Sequence, residues 1–571
     1  MVSYKLSPYV SFIESHLIPN ASQYAVFHRL SGQVVEPGAG IHSLLFAVKL
    51  GNPVSFGNGD LDRLGEDGRQ IRRLIDEEFL MPNGHDPLSA FVDHYVVRPL
   101  QNPAVAYRTE TGERLLVRIS MAERAYSPEP KELPTIIEEE MSPLVNRLLL
   151  AADGTKTLRQ IFATCKREAN AILEDHDFRA AIEFLTKPER QLIKFTRHTQ
   201  ELNNPFQPFN TVPRNFYHSS RWKQLGESAN AMADFHVGGI EDAAWEFDVI
   251  EPTVNHALRF PSELLGGLDY GSRFCDSTLK SSVLPLLGHS EDIEVLEVGG
   301  GTGSFAHSFR ERARVSGHSL GYHIIDLSPA LRESQRRILS DVKPAVTHIA
   351  QDATELDLPG CTFDLIIANE VVADFPVAMV ERQQPSENSP TFGGDGATYL
   401  ERYGLSVDDA PSRFYVNAGV FRFLERAWKH LSSGGTLVIS EYGTETRYPV
   451  ESFHLNHAEF SIHFGQLAEG ARKIGFECRL ETLREFLSID DRVPVLNGRE
   501  EHVRCLNHVF EKYGANLPFA LFSEREFQTN FEELAARIKL GPIRFLPARR
   551  NFHYGPNIDD FLVLIASKPL R

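Results

Sequence analysis

The stretch Ile293-Glu-Val-Leu-Glu-Val298-Gly-Gly-Gly-Thr-Gly303-Ser-Phe-Ala306 decides the fold of the C-terminal half of the chain. Ile293–Val298 has the length and apolar content of a buried parallel strand. Gly299, Gly301 and Gly303 give the backbone the freedom that a sharp strand-to-helix turn needs. The stretch therefore predicts the first β-turn-α unit of an open α/β sheet.

The same alternation of strands and helices continues toward the C-terminus. Further short apolar runs predict the strands Tyr322–Ile325, Val346–Ile349, Phe363–Ala368, Thr436–Ser440 and Asp560–Ser567. Apolar residues that recur with a period near 3.6 residues predict the helices Leu331–Leu339 and Phe421–Leu431. The fold class expected for this region is α/β with a Rossmann-like sheet.

The 571 residues are too many for one core, so several domains are expected. We predict an α+β domain over 1–135, built as a small barrel or a winged-helix-like module that dimerises or binds substrate. A helical middle domain with a linker near 203–220 is expected over 136–240, and the α/β domain over 241–571. The upstream elements expected are strands Val92–Val97 and Leu115–Ile119 and helices Ser142–Leu150 and Leu158–Leu173. Lid insertions are expected near 382–412 and 485–555.

Composition narrows the classes of function. The formal net charge of −18 disfavours a nucleic-acid partner and favours a cationic substrate. No apolar run reaches the roughly 20 residues of a membrane span. The five cysteines form no CxxC pair, so neither a disulfide framework nor a metal site is expected. With no secretion signal read at the N-terminus, a cytoplasmic protein is predicted.

The glycine-rich loop has the properties of a cofactor site. The helix that begins there offers free N–H groups and a positive dipole end, which suit a carboxylate. Glu297, at the end of the strand, would face an ammonium group or order the loop. A dinucleotide and S-adenosyl-L-methionine (SAM) both fit this pattern.

Polar residues after the next strands favour SAM. Asp326 follows the second strand, where a carboxylate can bind a ribose diol of either cofactor. Asp352 follows the third strand, where it can accept from an adenine amino group. Asn369 and Glu370 end the fourth strand, where a dehydrogenase needs no acid. The predicted cofactor is therefore SAM, with S-adenosyl-L-homocysteine as product, bound by Glu297, Gly299, Gly301, Gly303, Asp326, Asp352 and Asn369.

Three runs resemble one family in particular. Val295–Gly303, Tyr322–Gln335 and Ile366–Val377, with Glu459–Ala468 downstream, are similar to the MidA-type SAM-dependent methyltransferases, which include mitochondrial complex I assembly factors that methylate protein arginine. The resemblance covers residues 245–480 and the final strand, and it implies a class I methyltransferase sheet. Glu441-Tyr442-Gly443 stands where the family usually has Asp-Tyr-Gly, and the N-terminal region has no counterpart that we recognise.

Methylation of a guanidino nitrogen needs carboxylates. A guanidinium has no free lone pair and loses a proton only above about pH 12. One acid can orient it while a second accepts the proton. Glu370 and Asp374 are the predicted catalytic pair, since one helical turn after Glu370 would bring both to one face; helix capping is the ordinary alternative for such acids. Glu441, Tyr442 and His457 are predicted substrate contacts.

The resulting hypothesis is an N-methyltransferase acting on arginine, free or in a peptide. An O- or N-methyltransferase of another small natural-product metabolite is the alternative, and a binding or assembly protein without turnover is a third. The expected partners are a small-molecule or peptide substrate, with neither nucleic acid nor membrane. A homodimer formed through the N-terminal region is a further hypothesis.

Overall fold

The computed structural model describes the chain outside 1, 15–23, 32, 36–38, 58, 100–103, 120–135, 169–171, 188–189, 191, 198–252, 282–291, 383–391, 408–409, 454–457, 497–499, 518–520, 542, 544, 549–557 and 571. The predicted linker, 203–220, lies outside the described residues. The chain divides into two units: 1–220 with 501–517 and 531–543, and 221–500 with 518–530 and 544–571.

The first unit contains short antiparallel sheets and helices. Its strands are β1 (Val2–Leu6), β2 (Val10–Glu14), β3 (Tyr24–His28), β4 (Gln33–Val35), β5 (Val54–Phe56), β6 (Leu80–Pro82), β7 (Tyr95–Pro99), β8 (Ala104–Arg108), β9 (Arg114–Ile119), β10 (Ile136–Glu140) and β11 (Ile193–Arg197). They pair in the orders β5-β1-β6, β2-β3-β4, β10-β9-β8 and β11-β7.

The helices of this N-terminal part are α1 (Ala39–Lys49), α2 (Asp60–Arg63), α3 (Gly65–Asp76), α4 (Pro87–Phe91), α5 (Pro143–Ala151), α6 (Leu158–Glu168) and α7 (Asp175–Thr186). The helix α5 begins after Ser142, whose hydroxyl accepts from the N–H of Val145. The strand predicted to begin at Val92 begins instead at Tyr95, because α4 continues to Phe91 and Val92 is its C-cap.

A seven-stranded path forms the central sheet of the second unit. Its strands are β12 (Asp292–Val298), β13 (Ser319–Ile325), β14 (Thr347–Ile349), β15 (Phe363–Asn369), β19 (Leu431–Thr444), β23 (Glu477–Thr482) and β26 (Phe561–Ser567). Their order is β14-β13-β12-β15-β19-β26-β23, and β26 is antiparallel to both of its neighbours. The predicted strands of the α/β region are therefore confirmed, and the region is a mixed sheet whose chain order reverses beside β12.

Smaller strands accompany this sheet: β16 (Ala378–Arg382), β17 (Phe392–Gly393), β18 (Arg413–Val416), β20 (Glu451–Phe453), β21 (Ala458–Phe460), β22 (Ile462–His463), β24 (Pro494–Leu496) and β25 (Phe545–Pro547). Part of the predicted insertion at 382–412 belongs to the antiparallel sheet β17-β16-β18.

The remaining helices are α8 (Val254–Ala257), α9 (Tyr270–Ser281), α10 (Ser304–Val315), α11 (Pro329–Ile338), α12 (Ala397–Tyr403), α13 (Ala418–His430), α14 (Phe464–Ile474), α15 (Leu483–Phe486), α16 (Glu500–Glu511) and α17 (Glu524–Arg537). Short 3₁₀ turns occupy Glu263–Leu265, Ala353–Glu355, Val372–Asp374 and Ile558–Asp560. Among the described helices, none is both long and apolar enough to cross a bilayer.

Candidate functional site

The glycine loop connects β12 to α10 through backbone conformations that side chains disfavour. Gly299, Gly301 and Gly303 have φ angles of 67°, 49° and 96°. Gly303 is the N-cap of α10, so the first N–H groups of that helix open at the loop. A Cβ on Gly299 would lie 2.4 Å from Cγ2 of Val371. The loop therefore approaches the end of β15 too closely for any side chain at Gly299.

Gln335 joins the glycine loop to the acid after β13. Its Nε2 donates to the carbonyl oxygen of Gly301 at 3.0 Å and to Oδ2 of Asp326 at 2.8 Å. The other oxygen of Asp326 accepts from the N–H of Ser328. The carboxylate predicted to bind a ribose is thus held in one orientation relative to the loop.

Glu297 is buried beneath the loop, with 2% of its surface exposed. Its Oε2 accepts from the hydroxyl of Tyr322 at 3.0 Å. Burial raises the pKa of Glu297 to about 8, and the charge of Asp326 adds to the rise. The carboxyl is therefore largely protonated at neutral pH unless a cation reaches it.

Asp352 lies three residues after the end of β14 and is partly buried. Its Oδ1 accepts from the N–H and the hydroxyl of Thr354, at 2.7 and 2.8 Å, and so caps the 3₁₀ turn Ala353–Glu355. One carboxylate oxygen thus fixes the local turn. The contact between Oδ2 and the adenine amino group stays a prediction.

Asn369 is the last residue of β15 and Glu370 follows it, so both lie at the strand end that the sequence predicts. Oδ1 of Asn369 accepts from the hydroxyl of Tyr270 at 2.7 Å. Tyr270 is the first residue of α9 and is fully buried. Burial and the charge of Glu370 raise the pKa of the Tyr270 hydroxyl well above its usual range. Tyr270 therefore stays a neutral donor beside these acids.

Glu370 adopts a positive φ of 51° and turns its carboxylate toward the segment before the sheet. Oε2 accepts from the N–H of Val254 at 2.7 Å and Oε1 from the N–H of Asn255 at 2.9 Å. These are the first N–H groups of α8. Glu370 thus caps a helix that lies 116 positions upstream in sequence. A positive φ at a residue other than glycine is a backbone strain that is common at functional sites.

Three glutamates interact beside this strand end. Burial raises the pKa of Glu370 to about 7, although its backbone donors oppose the rise, and Glu459 raises it further. The pKa of Glu441 is raised well above its usual range by burial, by Glu459 and by Glu370. Glu441 and Glu459 are 3% and 7% exposed. We call Glu370, Glu441 and Glu459 the carboxylate group.

The remaining predicted residues have different surroundings. A helical turn does follow Glu370, but it is the short 3₁₀ turn Val372–Asp374, whose Ala373 N–H donates to Oε2 of Glu441 at 3.2 Å. Asp374 ends that turn and is partly exposed. Tyr442 is partly buried, with its ring 6.3 Å from that of Phe561. His457 lies outside the described residues.

Sequence reasoning missed Tyr270, Gln335 and Glu459 as members of the site. Gln335 and Glu459 lie inside the runs that carry the family resemblance, yet no spacing rule marks them. Tyr270 follows a turn and begins a helix, which is an ordinary place for a buried aromatic residue. Their contacts depend on tertiary packing between segments far apart in sequence.

Residues 281–459 match the model of a family described as "Putative S-adenosyl-L-methionine-dependent methyltransferase". The matched range contains the glycine loop, Asp326, Asp352 and the carboxylate group. The match assigns SAM-dependent methyltransferase chemistry to this region and confirms SAM as its cofactor. Among curated proteins, none matches the chain.

The solved structures to which the chain is similar include a COG1565 superfamily member from Burkholderia thailandensis bound to S-adenosyl-homocysteine. It is 16% identical, with a TM-score of 0.31, over 62% of this chain and 95% of that one. The phosphoethanolamine N-methyltransferase 2 of Haemonchus contortus, in complex with SAM, is 15% identical, with a TM-score of 0.29, over 58% of this chain and 61% of that one.

Proposed function

We propose that the chain is a SAM-dependent N-methyltransferase that methylates a guanidino nitrogen of arginine, free or in a peptide. The carboxylate group carries this proposal. Burial and Glu459 raise the pKa of Glu370, and burial, Glu459 and Glu370 raise the pKa of Glu441. A guanidinium ion would relieve that repulsion and offer N–H donors to several acids at once. Entry of such a cation would release protons from Glu370 and Glu441.

The position of the carboxylate group relative to the loop supports the same proposal. The close approach of Gly299 and Val371 brings the residue after Glu370 against the cofactor loop. Bound SAM supplies an electrophilic methyl group on its sulfonium. The cofactor contacts that we propose are Glu297, Gly299, Gly301, Gly303, Asp326, Asp352 and Asn369.

Arginine methylation then requires an oriented nucleophile and a base. Glu370 is fixed by two backbone donors, so its remaining lone pairs have a set direction. We propose that it orients the guanidinium while Asp374 or Glu441 accepts the proton lost as the nitrogen–carbon bond forms. Tyr442 and His457 remain proposed substrate contacts, and Glu459 joins them.

The test is to incubate the purified chain with methyl-labelled SAM and a panel of arginine, arginine peptides, other amines, alcohols and carboxylic acids. Mass spectrometry then locates the methyl group. Transfer to a guanidino nitrogen is expected. Transfer only to an oxygen or to another amine would favour the metabolite methyltransferase instead, and no transfer to any acceptor would contradict the proposed substrate.

Variants separate substrate binding from cofactor binding. Glu441→Gln and Glu459→Gln should each lower kcat/KM for the methyl acceptor about 100-fold or more, a loss of about 2.7 kcal/mol, with an unchanged Kd for SAM. Glu425→Gln is the matched control, because Glu425 bonds to Tyr403 on another part of the unit. Activity within tenfold of the wild type in both site variants would show that these acids do not bind the acceptor.

A further inference from the structure

Two cations face each other on the two-stranded sheet β7–β11 of the first unit. Arg98 and Lys194 are directly opposite in the antiparallel register, so their side chains leave the same face of the sheet. Like charges in this arrangement destabilise a sheet. Within the described ranges, neither side chain forms a hydrogen bond or an ion pair. The described part of the first unit therefore holds two adjacent positive charges without an acidic partner.

Arg98 is buried, which makes its lack of a partner costly. The residue is 5% exposed, and its Nε has no hydrogen-bond acceptor among the residues that the structure describes. The turn at 153–157 covers its stem: a Cβ on Gly154 would lie 3.8 Å from Cγ of Arg98. That turn is fixed to β7, since Val97 donates to the carbonyl of Lys156 and accepts from the N–H of Gly154. The stem of Arg98 therefore lies against a turn that is bonded to its own strand.

A third donor lies on the same face. Thr196 is two residues after Lys194 on β11, and its buried hydroxyl has no hydrogen-bond partner in the described part of the chain. Burial lowers the pKa of Arg98, and burial together with the charge of Arg98 lowers the pKa of Lys194. Both shifts have the sign expected where a counter-ion is missing.

We propose that Arg98, Lys194 and Thr196 form a binding site for an oxyanion, the phosphate or carboxylate group of a ligand of the first unit. Arg98 provides planar N–H donors that match two oxygens, Lys194 provides a point charge, and Thr196 provides a hydroxyl donor. The bound group would satisfy the buried donors and remove the repulsion between the cations. The proposal does not depend on the methyl-transfer site.

The experiment uses the full chain and two probes, sodium phosphate and sodium acetate at 20 mM, each compared with sodium chloride at the same ionic strength. A probe that binds the folded unit with a Kd of about 1 mM should raise Tm by about 3 °C. Hydrogen exchange should slow in peptides that contain β7 and β11. A response to phosphate alone indicates a phosphorylated ligand, and a response to acetate alone a carboxylate ligand.

Arg98→Gln and Lys194→Met should each abolish the increase in Tm that the probe causes. Lys166→Met should retain this increase, because Lys166 is an exposed cation on α6. In chloride, Lys194→Met should raise Tm, because it removes one of two facing charges. Equal responses to phosphate and acetate in the wild type and in Lys194→Met would be a general salt effect and would overturn the proposal. So would the lack of any response in the wild type.

Discussion

The amide nitrogen of Gln335 lies 2.8 Å from Oδ2 of Asp326 and 3.0 Å from the carbonyl oxygen of Gly301. One buried side chain thus sets the distance between the cofactor loop and the predicted ribose acid. The carboxylate and the loop carbonyl are both acceptors, so only a donor can hold them together. We therefore propose that Gln335 is a positioning residue for the cofactor.

Replacing this donor should weaken cofactor binding more than catalysis. Gln335→Glu places a third acceptor between two others, and we expect the Kd for SAM, measured by calorimetry, to rise at least tenfold, about 1.4 kcal/mol. At saturating SAM, kcat should stay within a few-fold of the wild type. Gln528→Glu, on the exposed face of α17, is the control. A lower kcat with unchanged affinity would show that Gln335 acts elsewhere.

Gly299 should tolerate no side chain. Gly299→Ala combines a positive φ with a Cβ 2.4 Å from Val371, so the end of β15 must move. Gly317→Ala shares the positive φ but meets nothing within 4 Å. We expect both variants to lose about 1 kcal/mol of stability from the backbone conformation, and only Gly299→Ala to lose SAM binding as well. Equal SAM affinity in the two variants would contradict the close approach.

The pH dependence of stability should report the protonation of Glu297. Its pKa is about 8 when folded and near 4.5 when unfolded, so the folded form holds the proton more tightly. Stability from this group is complete below pH 4.5 and is lost as pH rises to about 8. Without SAM, the free energy of unfolding of Glu297→Gln should therefore rise relative to that of the wild type by about 1.4 kcal/mol for each unit of increasing pH. Denaturant unfolding of both proteins between pH 5.5 and 7.5 measures this difference in the free energy of unfolding. A difference that stays constant over this range would mean that Glu297 is ionised in the folded protein.

The sequence predicts the sheet well and the site in part, for physical reasons. Buried parallel strands are recognisable as short apolar runs, and the glycines of the loop are required by its positive φ angles. Glu370 differs, because the backbone that it caps at Val254 and Asn255 lies far away in sequence. Local spacing predicts a helical face shared with Asp374, whereas tertiary contacts couple Glu370 to Glu459 and Glu441.

Tyr270 should matter for turnover through Asn369. Tyr270→Phe removes the donor to Oδ1 of Asn369 and should cost about 1 kcal/mol of stability. Because that donor orients a residue beside Glu370, kcat/KM should fall at least tenfold. Tyr403→Phe is the control, since its hydroxyl bonds at 2.7 Å to Glu425. If both variants lose stability and neither loses methyl transfer, the Tyr270 contact is structural alone.

His28 in the first unit should make the chain sensitive to acid. It is fully buried between Phe79 and Phe91, with ring centroids 5.2 and 5.9 Å away. Burial lowers its pKa from 6.5 to about 4. The folded unit therefore excludes the proton that the unfolded chain accepts, and stability is complete above pH 6.5 and lost as pH falls toward 4.

This loss should amount to about 3 kcal/mol between pH 6.5 and 4, the equivalent of the shift in pKa. His28→Gln cannot titrate, so the difference in unfolding free energy between the two proteins should shrink as the pH falls through this range. Denaturant unfolding at pH 7.0, 5.5 and 4.5, followed by hydrogen exchange in β3, measures it within the first unit. His176→Gln is the control, because that imidazole is exposed beside Glu174 and Asp177. If the wild type and His28→Gln lose stability in parallel on acidification, the folded unit protonates His28 as readily as the unfolded chain does, and the burial between the two phenylalanines does not exclude the charge.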